Sequence, residues 1–220
     1  MAVKKEEKLI VRLDKHPKSQ DLDVRERLLK AAIELFSRKG YSATTTREIV
    51  AAAGVTKPVL YYYFRNKEGI YLELMRGAYE KFDALLDTSR SVQGSAIERV
   101  LRLSDQVFSL FMENLEVARL MYSIYYGPHQ GAPFFDFDAY HLKLQDTVKQ
   151  LVEEGIRRHE LKKGNPEDMM WTIIGAIHIA TEMELCHPEW GLGWEGLHRV
   201  LTLIFRGISA SQRTKRGKRK

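Results

Sequence analysis

The chain of 220 residues has a single cysteine, Cys186. That excludes an internal disulfide framework and suits a reducing compartment. No stretch approaches the roughly 20 apolar residues needed to span a bilayer, so no membrane partner is expected. The opening residues, MAVKKEEKLIVRLDKHPK, contain no apolar core of the kind a secretion signal needs, and a cytoplasmic location is expected. Sustained period-two alternation is missing, which argues against a sheet. Nucleophile-elbow, P-loop and metalloprotease spacings are missing too. The Ser, His and Cys residues are scattered, so no enzyme chemistry, cofactor or metal is expected. No repeat at a solenoid period is present.

Apolar residues make up 44% of the chain, enough for a sizeable core. The formal net charge of +6 is unevenly spread. Residues 24–67 carry nine cations against three anions, and residues 68–212 carry fourteen against twenty-one. The last eight residues, RTKRGKRK, hold six cations and no anion. A basic head on an acidic body is expected where only the head meets phosphate.

Helical periodicity divides the rest. Residues 1–22 read as a flexible arm. A first helix is expected from Asp23 to Lys39, with Val24, Leu28, Ala31 and Leu35 along one stripe and Gly40 after it. Two short helices follow within residues 45–64. Asn66 caps a fourth that runs to Leu86. Ser95-Ala-Ile-Glu98 is a capping box that opens a fifth helix, which runs to Asn114. A sixth spans Leu115–Tyr126, a seventh Phe137–His159, an eighth reaches Cys186 from the Asn165-Pro166 cap, and a ninth spans Trp194–Ile208. The expected fold is all-α. A three-helix helix-turn-helix head (residues 23–67) precedes a larger helical body (68–209), and a basic disordered tail (210–220) ends the chain.

The segment TTREIVAAAGVTKPVLYYYFRNK, Thr45–Lys67, carries the strongest signal. Ile49, Val50 and Ala53 put apolar groups on one face of its first helix. Gly54 suits a sharp interhelical turn. Thr56 is a good N-cap, and Pro58 sits in the first turn, where its missing N–H costs little. Leu60 and Phe64 point to one side, leaving Lys57, Val59, Tyr61, Tyr62 and Tyr63 outward or sideways. A solvent-facing helix gains nothing from three consecutive tyrosines. A helix in a major groove can use their hydroxyls on phosphates and their rings on base edges.

The run RLLKAAIELFSRKGYSATTTREIVAAAGVTKPVLYYYFRNKEGIY, Arg27–Tyr71, resembles the N-terminal domain of the tetracycline-repressor-like (TetR) transcriptional regulators. Tyr63 stands where the family typically has histidine, and Pro58 where a glycine is common. The resemblance implies double-stranded operator DNA as partner. It places Arg47 at a base edge, most naturally guanine O6 and N7, with a phosphate contact or a solvated surface position as the alternatives. Thr46, Tyr61, Tyr63 and Lys67 are placed at phosphates. Lys57, Pro58, Val59 and Tyr62 lie toward the groove floor, where Pro58 and Val59 can meet a thymine methyl, and Thr56 opens the DNA-binding segment.

The eighth helix is apolar almost all round, and a helix apolar on two faces is buried on two faces. Met170, Ile174, Ile177, Thr181 and Leu185 form one stripe; Met169, Ile173, Ala176, Ala180 and Met183 form another. Ala176 and Ala180 are small enough for close helix approach. The resemblance implies a homodimer through the last two long helices, with Ile173, Ala176, Ala180, Met183, Leu197, Leu201 and Ile204 expected at the interface. It also implies an effector pocket in the body. Aromatics are dense from the fifth to the seventh helix. Phe108, Phe111, Tyr122, Tyr125, Tyr140, Trp171 and His178 are the expected wall, with His141 and Glu182 as further polar candidates. His178 and Glu182, four apart, are expected to share a hydrogen bond rather than a metal.

The expected function is therefore a dimeric repressor, released from a palindromic operator by a small hydrophobic effector. The alternative is a helical protein-binding module that does not touch DNA. A shift assay with random duplex separates the two.

Overall fold

Short capping signals decide where the helices begin. The computed structural model describes residues 19–127 and 131–209, with side chains from residue 23 onward. Among these residues the chain forms nine α-helices: α1 (Ser19–Lys39), α2 (Thr46–Ala53), α3 (Lys57–Phe64), α4 (Lys67–Arg90), α5 (Ala96–Glu113), α6 (Leu115–Tyr125), α7 (Asp138–Arg157), α8 (Pro166–Cys186) and α9 (Gly193–Ile208). The extended pairing among them is one isolated antiparallel bridge, Leu161 to Ser209. Residues 1–18 of the expected arm and all of the expected tail lie outside the described residues.

Thr45 and Glu48 form a reciprocal capping box on α2, and Ser95 and Glu98 form another on α5. Asn66 caps α4 by accepting from the Gly69 amide at 2.7 Å. Thr56 has the extended N-cap backbone, but its side chain makes no capping bond, which corrects the expectation for that residue. The first helix starts at Ser19, four residues before Asp23. The fourth runs on to Arg90 instead of stopping at Leu86. A single 3-10 turn, Pro188–Trp190, follows α8.

Two apolar clusters fill the molecule. The head cluster joins Leu28, Ala32 and Phe36 of α1 to Ile49, Leu60 and Phe64, and also takes in Ile70, Tyr71 and Met75 from the start of α4. The body cluster joins Phe82, Leu86, Leu103, Val107, Val148, Ile173, Ala180, Leu197 and Leu201. The change of partner thus falls along α4, between Met75 and Phe82. Leu120 of α6 and Phe137 before α7 belong to the head cluster, and Met121 packs against both.

Candidate DNA-reading face and body cavity

The α2–α3 turn needs glycine. Gly54 has φ 64, in the left-handed region, and its amide bonds back to the Ala51 and Val50 carbonyls. The α3–α4 junction is as tight: a Cβ on Gly69 would lie 2.0 Å from the Phe64 carbonyl oxygen. These two close points fix how α3 projects. Leu60 and Phe64 turn into the core, while Thr56, Lys57, Pro58, Tyr61 and Tyr62 are exposed and Val59 and Tyr63 are half-buried. Tyr62 is 81% exposed and meets Tyr63 edge-on, with ring centroids 5.0 Å apart. Arg47 is exposed beside half-buried Thr46 at the start of α2.

Lys67 is placed differently from its expected role. Its Nζ donates to the Tyr41 and Thr44 carbonyls at 2.9 and 3.0 Å and lies 4.1 Å from the Tyr41 ring centroid. Burial, with Lys39 nearby, lowers its pKa. Two of its three N–H groups therefore close the α1–α2 loop, leaving one for an outside partner. Two cations the sequence reading passed over also brace the head. Arg27 donates to the Ala53 carbonyl at 3.2 Å, and Lys39 pairs with Glu48 at 2.5 Å. Lys39 and Thr45 hold the Glu48 carboxyl down at about 2.

The body encloses a cleft of about 700 Å³, counting its open mouth, with only about 70 Å³ of clear room for atom centres. Its wall comes from α4 to α8: Phe82, Val107, Phe111, Met121, Tyr122, Tyr125, Tyr126, Phe137, Tyr140, His141, Leu144, Ile174, Ile177, His178 and Thr181. Phe111, Tyr122, Tyr125, Tyr140 and His178 of the expected wall are on it. Phe108 is buried in the neighbouring core instead, off the cavity wall. Trp171 is exposed on the far side of α8. Glu182 opens onto an adjoining groove with Arg119 and Cys186.

His178 takes tyrosine partners where Glu182 was expected. The Tyr122 and Tyr126 hydroxyls lie 3.2 and 3.4 Å from its Nε2. Tyr125 donates to Asp138 at 2.7 Å, and Tyr140 to the Met75 carbonyl at 3.1 Å. Burial pushes the Tyr122 and Tyr140 hydroxyls well above the usual phenol range. Burial, then His178, lowers the pKa of His141, against a smaller opposing pull from Asp138.

The expected dimer residues are mostly inside the subunit. Ile173, Ala176, Ala180, Leu197 and Leu201 are buried in a single chain, and Met183 and Ile204 are half-buried. The small alanines let α8 approach its own neighbours. The outward apolar residues of α8 are Trp171 and Ile179, in line with exposed Gly175 between them; on α9 the outward residue is Leu203, 69% exposed. Trp190, Leu192 and Trp194, at the α8–α9 connection, are exposed as well.

Residues 28–74 match the family model described as bacterial regulatory proteins, tetR family. The HTH-type transcriptional repressor KstR2 of Mycobacterium tuberculosis is 31% identical over 145 residues, covering 62% of this chain and 70% of that protein. The chain belongs to the TetR family of bacterial transcriptional regulators. The reading as a regulator instead of an enzyme rests on that membership. The uncharacterized regulator YdgC of Bacillus subtilis is 34% identical over 107 residues, 47% of this chain, and the chain spans only 55% of its length. A solved SmeT–triclosan complex shares the fold, with a TM-score of 0.67 at 17% identity over 86% of this chain and 93% of that one. The cavity side chains the sequence reading missed, Phe82, Val107, Leu144 and Ile177 among them, are ordinary core residue types. Only packing separates a wall residue from a core residue here.

Proposed function

We propose that this protein is a cytoplasmic, homodimeric repressor that leaves a palindromic operator when a small hydrophobic effector enters the body cavity. Residues 23–67 form the DNA-reading unit and 68–209 the effector and dimerisation unit. Each subunit lays α3 in a major groove. Arg47 reads a base edge, Thr46, Tyr61 and Tyr63 hold phosphates with the remaining Lys67 donor, Lys57, Pro58, Val59 and Tyr62 face the groove floor, and Thr56 opens the segment. The dimer forms across the exposed faces of α8 and α9, through Trp171, Ile179 and Leu203.

One observation carries the effector reading. Met121 and Phe137 line the cavity and at the same time pack against the head cluster. The clear room is too small for a drug-sized occupant, so an entering molecule has to push the wall outward. Displacing Met121 and Phe137 moves the surface on which α1 and α4 rest. The two heads then change separation, and the ligand-bound state loses fit to two half-sites one helical turn apart.

Selection of bound sequences from random duplex by the purified protein tests the reading. An inverted repeat bound by two chains is expected, weakened by any small apolar molecule that raises thermal stability. No enriched sequence, or one unaffected by every stabilising ligand, overturns it.

A further inference from the structure

We propose that the effector carries one carboxylate on an apolar body, that this carboxylate seats against His141, and that a proton enters the cavity with it. The inference rests on the effector reading above. Most polar groups on the wall are already committed. Tyr125 is bonded to Asp138, Tyr140 to the Met75 carbonyl, Thr181 to the Ile177 carbonyl, and Tyr122 and Tyr126 converge on His178. His141 is different. It is half-buried on the wall and makes no hydrogen bond among the described residues. Its ring lies 6.2 Å from that of His178 and 5.4 Å from that of Tyr125.

The groups around the pair set the sign of the ligand. From α6 come three tyrosines, from α7 Asp138, and from α8 Glu182; α4 and α5 give the wall only Phe82, Val107 and Phe111. Asp138 is occupied by Tyr125, and Glu182 lines the adjoining groove. Among the described residues no Lys, Arg, Asp or Glu is on the wall. A cationic ligand finds aromatic faces but no free carboxylate on the wall. A neutral ligand uses His141 without any change of protonation. A carboxylate gains most: it favours the imidazolium, takes a proton from solvent onto His141, and makes a charge-assisted hydrogen bond.

The pH dependence follows. In the empty cavity burial keeps the pKa of His141 low. The bound carboxylate raises it. Between the two values binding takes up a proton, so affinity is greatest at low pH and falls by up to about tenfold per pH unit as pH rises.

Isothermal titration of the full chain with octanoate, 1-octanol and octyltrimethylammonium tests this from about pH 6 to about pH 8, in two buffers of different ionisation enthalpy. Octanoate is expected to bind tightest, with uptake of close to one proton and severalfold weaker binding at the upper pH. Octanol is expected to be flat with pH, and the ammonium weakest. His141→Gln is expected to lower the octanoate-to-octanol affinity ratio roughly tenfold at the low pH and to abolish proton uptake. Octanoate binding without pH dependence, the ammonium as the tightest probe, or no binding of any probe overturns the proposal. Octanol binding that releases DNA, with no preference for octanoate, overturns the proposal and keeps the effector reading. Octanoate binding with proton uptake that leaves DNA bound keeps the carboxylate site at His141 and overturns the effector reading.

Discussion

The head and the body both bury aromatic rings but use them differently. In the head, Tyr41 packs against Phe36 at 5.3 Å and against Tyr71 at 5.2 Å between centroids, and the rings fill space. In the body, Tyr122, Tyr125, Tyr126 and Tyr140 also touch other rings, Tyr125 and Tyr126 at 4.7 Å between centroids, but each keeps one side on the cleft. Their hydroxyls follow suit. The buried Tyr71 hydroxyl has no hydrogen-bond partner among the described residues, while the Tyr140 hydroxyl holds the Met75 carbonyl. A recognition helix has to be held rigidly, and close packing does this. A regulated body has to accept a guest, and a wall with room behind it does that.

Truncating one ring in each region sharpens the contrast most. Phe36→Ala removes a fully packed side chain and is expected to cost about 3–5 kcal/mol. Phe111 already faces the cleft, so Phe111→Ala is expected to cost about 1–2 kcal/mol, because part of the lost contact was never made. Urea unfolding measures both, and equal costs would remove the distinction between the regions.

The second prediction separates inner from outer faces of α8 and α9. Ala180→Arg forces a charge into a site with no exposed surface and is expected to unfold the chain. Ile179→Glu and Leu203→Glu are expected to leave stability within about 0.5 kcal/mol per chain while dissociating the dimer in light scattering. A folded Leu203→Glu dimer would move the interface elsewhere.

That pair of faces shows what the sequence could not decide. Helix limits were readable because caps are local: Ser95 with Glu98, Asn165 with Pro166, and Gly54 each act within a turn. Which side of α8 faces solvent is not local. Ile173 and Ile179 are chemically equivalent, yet one is fully buried and the other 48% exposed. A helix apolar all round gives periodicity nothing to choose between. The reading took Ala176 and Ala180 as an opening for a second chain. The subunit's own helices already fill it. The structural half of the Lys67 role was illegible for a similar reason, since the carbonyls that hold it come from residues more than twenty positions earlier.

A smaller effect sharpens the comparison by sign. Tyr71→Phe removes a buried hydroxyl without a partner among the described residues and is expected to be neutral or to stabilise by up to about 1 kcal/mol. Tyr140→Phe removes a made hydrogen bond and is expected to destabilise by about 1 kcal/mol. Thermal unfolding of the two variants checks the opposite signs.

The smallest expected effect is the head's own share of the pH dependence. The Glu48 carboxyl is held down at about 2 by Lys39 and Thr45. A lowered pKa contributes stability that is present above the ordinary value of 4.5 and lost as pH falls toward 2. Glu48→Gln is expected to flatten that acid limb in a pH titration of stability, by lowering stability at neutral pH and leaving it little changed near pH 2.

The central claim is that an occupied cavity and a bound operator oppose each other. Titration of the selected operator with the protein, with and without a small apolar molecule shown by calorimetry to saturate one site per chain, tests it directly. The account predicts operator affinity at least fivefold weaker with the site filled and, by linkage, ligand affinity weaker by the same factor on operator-bound protein. Equal operator affinity with the cavity full and empty would contradict it.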